Sequence, residues 1–179
     1  MIDKAQKFAE VAHKGQKRKS SDEDYINHPI RVARILKDAG GSESLICACL
    51  LHDVVEDTAY ELEDIEREFG GEVRNIVAAH TEDKSKPWDE RKAHTIEVVK
   101  TGSLDVKSLI VADKLDNLLS IEESYHQIGN AVWNYFNSGC KKQKWYYQSV
   151  AAHMHSGIIE KDTPSFFTSY AQAVERFFK

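Results

Sequence analysis

The stretch CLLHDVVEDT, Cys49–Thr58, sets an imidazole and three carboxylates into the frame of a buried helix. Leu50, Leu51, Val54 and Val55 are the residues a core helix needs; His52, Asp53, Glu56 and Asp57 are not. Unpaired charge is costly to bury, so such groups are normally paired with one another or with a metal. On a continuous helix His52 and Glu56 share one flank, Asp53 and Asp57 the next, and the adjacent His52 and Asp53 lie about 100° apart yet within reach of one ion. An HD pair alone is common and is better read as a hydrogen-bonded core histidine at an exposed acidic helix end.

The sequence around it predicts helices and almost nothing else. Apolar residues at helical spacing (Ile2, Ala5, Phe8, Ala9, Ala12) predict a first helix stopped at Gly15, followed by the polar loop QKRKSSDEDY. NHPIRVARILKDAGG predicts a helix with Pro29 in its first turn and Gly40–Gly41 just past its end. Ser42 caps the next helix, which is expected to run unbroken to about Glu56. ELEDIEREFGG and EVRNIVAAHTE predict two short helices, and 83–87 a charged loop. Further helices are expected over 88–100, from near Ser103 through SLDVKSLIVADKLDNLLSIEE, over 127–136 and 140–159, and after Pro164. The expectation is an all-α bundle of roughly eight to ten helices forming a single domain over 1–179.

Composition narrows the function classes. The formal net charge of −5 argues against general nucleic-acid binding, although Lys14, Lys17, Arg18 and Lys19, and later Lys141, Lys142 and Lys144, form local basic clusters suited to a small polyanion. Cys47, Cys49 and Cys140 are odd in number and contain no CxxC, so they read as reduced thiols rather than a disulfide framework. No apolar run approaches a membrane span, and Met1 leads directly into a polar helix, so a cytoplasmic location is expected.

Two further residues join the HD pair. His28 stands at the start of a helix in INHPI, and Asp113 lies among Leu109, Ile110, Val111, Leu115 and Leu118, where a carboxylate needs a partner. Asn117 is a second polar residue on the face of Asp113. His28, His52, Asp53 and Asp113 form a mixed nitrogen–oxygen set that suits manganese, iron or zinc better than calcium. Four such ligands leave positions open for water or a substrate phosphate.

The order HP … HD … D resembles the HD superfamily of metal-dependent phosphohydrolases. The words AHKGQKRK, YINHPIRVARIL, LLHDVVEDT, FGGEVRNIV, TEDKSK, ERK and VADKLDNL resemble the hydrolase domain of RelA/SpoT-type alarmone enzymes, especially the small stand-alone members such as the metazoan SpoT homologue. The likeness runs from Phe8 to Leu119 and more weakly to Met154, giving a motif-bearing core at about 8–154 and a C-terminal helix at about 164–178. It implies an HD-domain helical bundle in which His28, His52, Asp53 and Asp113 hold one Mn²⁺. It implies that Glu56 and Asp57 orient and deprotonate the attacking water, and that Asn117 positions that water or the scissile phosphate. Arg18 and Lys19 match a base- and phosphate-contacting pair, and Lys84 a basic residue near the phosphates. Lys142 and Tyr146 fall in a late motif that meets the nucleotide. The implied reaction is removal of the 3′-pyrophosphate of guanosine tetra- or pentaphosphate. The alternatives are another nucleotide substrate at the same site, an adenosine alarmone or the 2′-phosphate of NADPH, and a catalytically silent nucleotide-binding module. Two positions depart from the family pattern: Asp116, where a larger residue is expected, and His80, where a small or aliphatic one is. Neither is expected to touch the metal set, and His80 reads as an ordinary surface or core histidine.

Overall fold

The computed structural model describes residues 1–179 as ten α-helices and two short 3₁₀ segments, with no strand. The helices are α1 (Ile2–Ala12), α2 (Asn27–Asp38), α3 (Glu43–Leu51), α4 (Val54–Asp57), α5 (Leu62–Phe69), α6 (Gly71–His80), α7 (Trp88–Thr101), α8 (Leu104–Ile128), α9 (Gly139–His153) and α10 (Phe166–Phe177).

Two helices form the centre. α3 is apolar on every side, with all seven residues from Leu45 to Leu51 buried, so it must be enclosed. It packs on α1, α2, α6 and α8. The long α8 buries Val106, Leu109, Ile110, Val111, Leu115 and Leu118 and packs on α2, α3, α6, α7 and α10. α10 adds Phe167, Tyr170 and Val174 to the same apolar core. His28, at the second residue of α2, therefore faces α3 and α8 across the bundle interior.

Local chemistry sets the boundaries. The Ser42 hydroxyl accepts from the Leu45 N–H at 3.1 Å, and the Ser103 hydroxyl from Val106 at 3.4 Å, capping α3 and α8. α2 ends in a left-handed turn at Gly40 (φ +77°), where the Gly40 and Gly41 N–H groups bond the Lys37 and Leu36 carbonyls at 3.0 and 2.8 Å.

Three expectations are corrected. The helix expected to run on to Glu56 breaks at His52–Asp53 and resumes as α4. Residues 127–136 are not an α-helix: α8 continues to Ile128, Gly129 turns the chain at φ +59°, and Gly129–Tyr135 is 3₁₀. α9 stops at His153 rather than continuing to residue 159.

Candidate functional site

The break after Leu51 is what brings the HD pair together. Adjacent side chains on a regular helix diverge. Here Asp53 takes φ −98°, ψ −3°, which swings its carboxylate back so that Oδ2 lies 3.0 Å from His52 Nε2. His28 Nε2, from α2, lies 3.7 Å from the same oxygen and 3.1 Å from Asp113 Oδ1 of α8; His52 Nε2 is 3.7 Å from that Asp113 oxygen. Four donor atoms from three parts of the chain thus converge.

Their orientation suits a metal. His52 Nδ1 donates to the Cys49 carbonyl at 2.7 Å, and His28 Nδ1 bonds Asp116 Oδ2 at 2.7 Å. Both rings then turn Nε2 toward the cluster. His52 Nε2 is buried with no hydrogen-bond partner, as expected of an atom meant for an ion. His28, His52 and Asp113 can hold one together, and Asp53 completes the mixed set. Burial opposes charge on His52, but Asp53 and Asp113 outweigh it and raise its pKa, so the cluster favours positive charge.

Both departures from the family pattern touch this cluster, contrary to expectation. Asp116 fixes the His28 ring and is itself gripped by Arg31, whose Nε lies 2.6 Å from Oδ1; Arg31 reaches on to Glu23. Burial would raise the Asp116 pKa, but the bonds from His28 and Arg31 lower it, keeping it a carboxylate. His80 is buried, and its Nε2 lies 3.0 Å from Asp113 Oδ2. Neither contact was readable from sequence, because the partners stand 88 and 33 residues apart. Removing Asp116 frees the His28 ring. Asp116→Ala is therefore expected to lower divalent-metal affinity by roughly 10–100-fold, measured calorimetrically. An affinity equal to the parent's would show that Asp116 plays no part in holding the ligand.

The cluster opens into a cleft of about 940 Å³, within the range of small-molecule sites. Only 7 of its 32 lining residues are hydrophobic, so it suits a highly polar ligand. Glu56 and Asp57 line it beside Asp53. Burial, followed by the Asp53 charge, raises the Glu56 pKa. Lys84 pairs with Asp57 and lies 3.9 Å from Glu56, while Tyr25 donates to Asp53 at 2.5 Å and reaches Asp57 at 3.4 Å. Asn117 Nδ2 donates to Asp113 Oδ1 at 2.5 Å and its oxygen accepts from Arg18 at 2.8 Å. Lys19 and Tyr146 also line the cleft. Lys142 does not: it is exposed and pairs with Asp89 at 2.6 Å, outside the lining. Arg31, Arg91, Lys92 and Lys114 line the cleft although none stood out in the sequence. For the last three the signal was the basic residues of the ERK and ADK words.

Comparison with known proteins bears on this geometry. A family model described as an HD domain matches residues 5–135. A guanosine-3′,5′-bis(diphosphate) 3′-pyrophosphohydrolase, MESH1 of Xenopus tropicalis, is 45% identical over 125 residues, covering 68% of this chain and 70% of the relative. A crystal structure from Listeria monocytogenes EGD-e superposes with a TM-score of 0.81 at 49% identity, covering 87% of this chain and 96% of that one. A structure described as a metazoan orthologue of SpoT that hydrolyses ppGpp superposes with a TM-score of 0.79 at 29% identity, covering 98% and 93%. No helix is long and apolar enough to cross a membrane.

Proposed function

Because the chain belongs to the HD-domain family, we propose that it is a cytoplasmic phosphohydrolase removing the 3′-pyrophosphate of guanosine tetra- or pentaphosphate. The observation that carries this reading is the convergence of His28, His52, Asp53 and Asp113 beside Glu56 and Asp57 in a polar cleft with basic walls. The names of the similar hydrolases supply the substrate.

His28 Nε2, His52 Nε2, Asp53 and Asp113 would hold the metal, and their nitrogen–oxygen chemistry fits one Mn²⁺. When bound, the ion polarises a phosphoryl oxygen and lowers the pKa of water. Glu56, its affinity for protons raised by burial and by Asp53, accepts a proton from the attacking water at a carboxylate oxygen. Asp57, held between Lys84 and Tyr25, orients that water. The water oxygen bonds to the phosphorus carried on O3′, the P–O3′ bond breaks and O3′ takes a proton. The products are GDP or GTP and pyrophosphate. Asn117, fixed by Asp113 and Arg18, positions the scissile phosphate. Lys19 and Lys84 neutralise phosphate charge from the cleft wall.

Selectivity has to come from groups that a small ester never reaches. Arg18 presents its guanidinium at the cleft, over the Tyr25 ring at 5.6 Å, and can stack on a purine. Arg18→Ala is expected to lower kcat/KM for guanosine tetraphosphate by about tenfold or more, and to affect a small phosphate ester less. Equal losses on both substrates would assign Arg18 to holding Asn117 and remove it from base recognition.

A further inference from the structure

One wall of the cleft carries more positive charge than the protein neutralises. Glu82 is the shared carboxylate of two cations, 2.7 Å from Arg91 and 2.6 Å from Lys92. A third, Lys114, leans on Asp113 Oδ2 at 2.7 Å, but Asp113 is also claimed by His28, His52 and His80. Lys92 and Lys114 flank one aromatic ring, with their ammonium groups 5.0 and 5.7 Å from the centre of Tyr146. Both lysine side chains are largely enclosed, at 15% and 12% exposure. Buried cations are normally matched by buried anions, and here three cations share one full carboxylate and part of another. Burial, and then the nearness of Lys114, lower the Lys92 pKa. Two donors at this wall are unused: Arg91 Nε and the Tyr146 hydroxyl are buried without a partner, and Tyr146 is only 2% exposed. All four residues line the cleft.

We propose that Arg91, Lys92 and Lys114, with the Tyr146 hydroxyl, form an anion subsite that seats the outer phosphate of a pyrophosphate group and retains inorganic pyrophosphate after cleavage. Asp113 links this subsite to the metal cluster, since Oδ1 faces His28 and His52 while Oδ2 faces Lys114 and His80. A ligand that engages both places needs two adjoining phosphates, one at the cluster and one at the wall. The choice of pyrophosphate rests on the reading of this site as a 3′-pyrophosphate hydrolase; the charge imbalance stands without it. The subsite also separates a pyrophosphate ester from a phosphate monoester, which would leave the wall cations unmatched.

The test is calorimetric titration of the Mn²⁺-loaded protein with inorganic pyrophosphate and, separately, with inorganic phosphate, the metal content being checked after each run. Pyrophosphate is expected to bind at least about tenfold more tightly than phosphate. Lys92→Gln is expected to weaken pyrophosphate binding by about tenfold, to change phosphate binding little, and to leave Mn²⁺ affinity unchanged, with Lys92→Arg restoring most of the loss. Should Lys92→Gln fail to fold by circular dichroism, Arg91→Gln, on the more exposed edge, makes the same comparison. A folded variant that binds pyrophosphate as the parent does, or a parent that binds the two anions equally, overturns the subsite. A parent that cleaves no 3′-pyrophosphorylated nucleotide, yet shows Lys92-dependent pyrophosphate binding, overturns the proposed reaction and upholds the subsite.

Discussion

Asp53→Ala and His52→Ala proteins are expected to bind no Mn²⁺ and to hydrolyse no nucleotide. Each change deletes one of four donor atoms whose imidazole–carboxylate distances are 3.0–3.7 Å, and each of the two ligands is held in place by its own contacts. His52 is fixed by the Cys49 carbonyl, and Asp53 by the backbone turn and the Tyr25 hydroxyl. Asp53→Ala is the cleaner variant, because Asp53 sits at the cleft and its removal leaves the apolar core untouched. Far-ultraviolet circular dichroism should match the parent, while metal content after dialysis falls to background. Stoichiometric Mn²⁺ in either folded variant would show that the ion sits elsewhere.

The second large effect separates binding from chemistry. Glu56→Ala and Asp57→Ala are expected to retain metal and to lose turnover by roughly 10²–10⁴-fold, the usual contribution of general acid–base groups. Glu56 lies next to the cluster but donates no atom to it; its Oε2 accepts the Glu82 N–H at 3.2 Å. Asp57 is tied to Lys84 and Tyr25. Calorimetry with Mn²⁺ and steady-state kinetics on the same preparations read the two properties independently. Variants that turn over at the parental rate would remove both carboxylates from the mechanism.

Much of this arrangement was legible because it is local. The Ser42 cap, the helix start near Ser103, the Gly40–Gly41 stop and the apolar residues of α3 and α8 are all written in short windows of sequence. His52, Asp53 and Asp113 were legible as polar residues stranded in apolar helices and His28 by its place at a helix start, and the structure brings the four together. The interruption at His52–Asp53 was not legible. Leu50, Leu51, Val54 and Val55 keep a helical pattern straight through it, and only the need for both ligands to face one point explains the turn. Asp116 and His80 were missed for a different reason. Periodicity places a residue on a face but does not name its partner, and theirs come from α2 and from α8 respectively. The same limit applies to Lys142: a basic residue in a familiar-looking word proves to sit outside the cleft, beside Asp89. Lys92 and Lys114, from two helices, meet over the Tyr146 ring of a third.

The most direct test of the account is incubation of the Mn²⁺-loaded protein with guanosine tetraphosphate in ¹⁸O-labelled water, with the products separated by chromatography. GDP and pyrophosphate are expected in equal amounts, with the label in the pyrophosphate and none in GDP, because water attacks phosphorus and the P–O3′ bond breaks. No release of pyrophosphate, or label appearing on the 3′ oxygen of GDP, would contradict it.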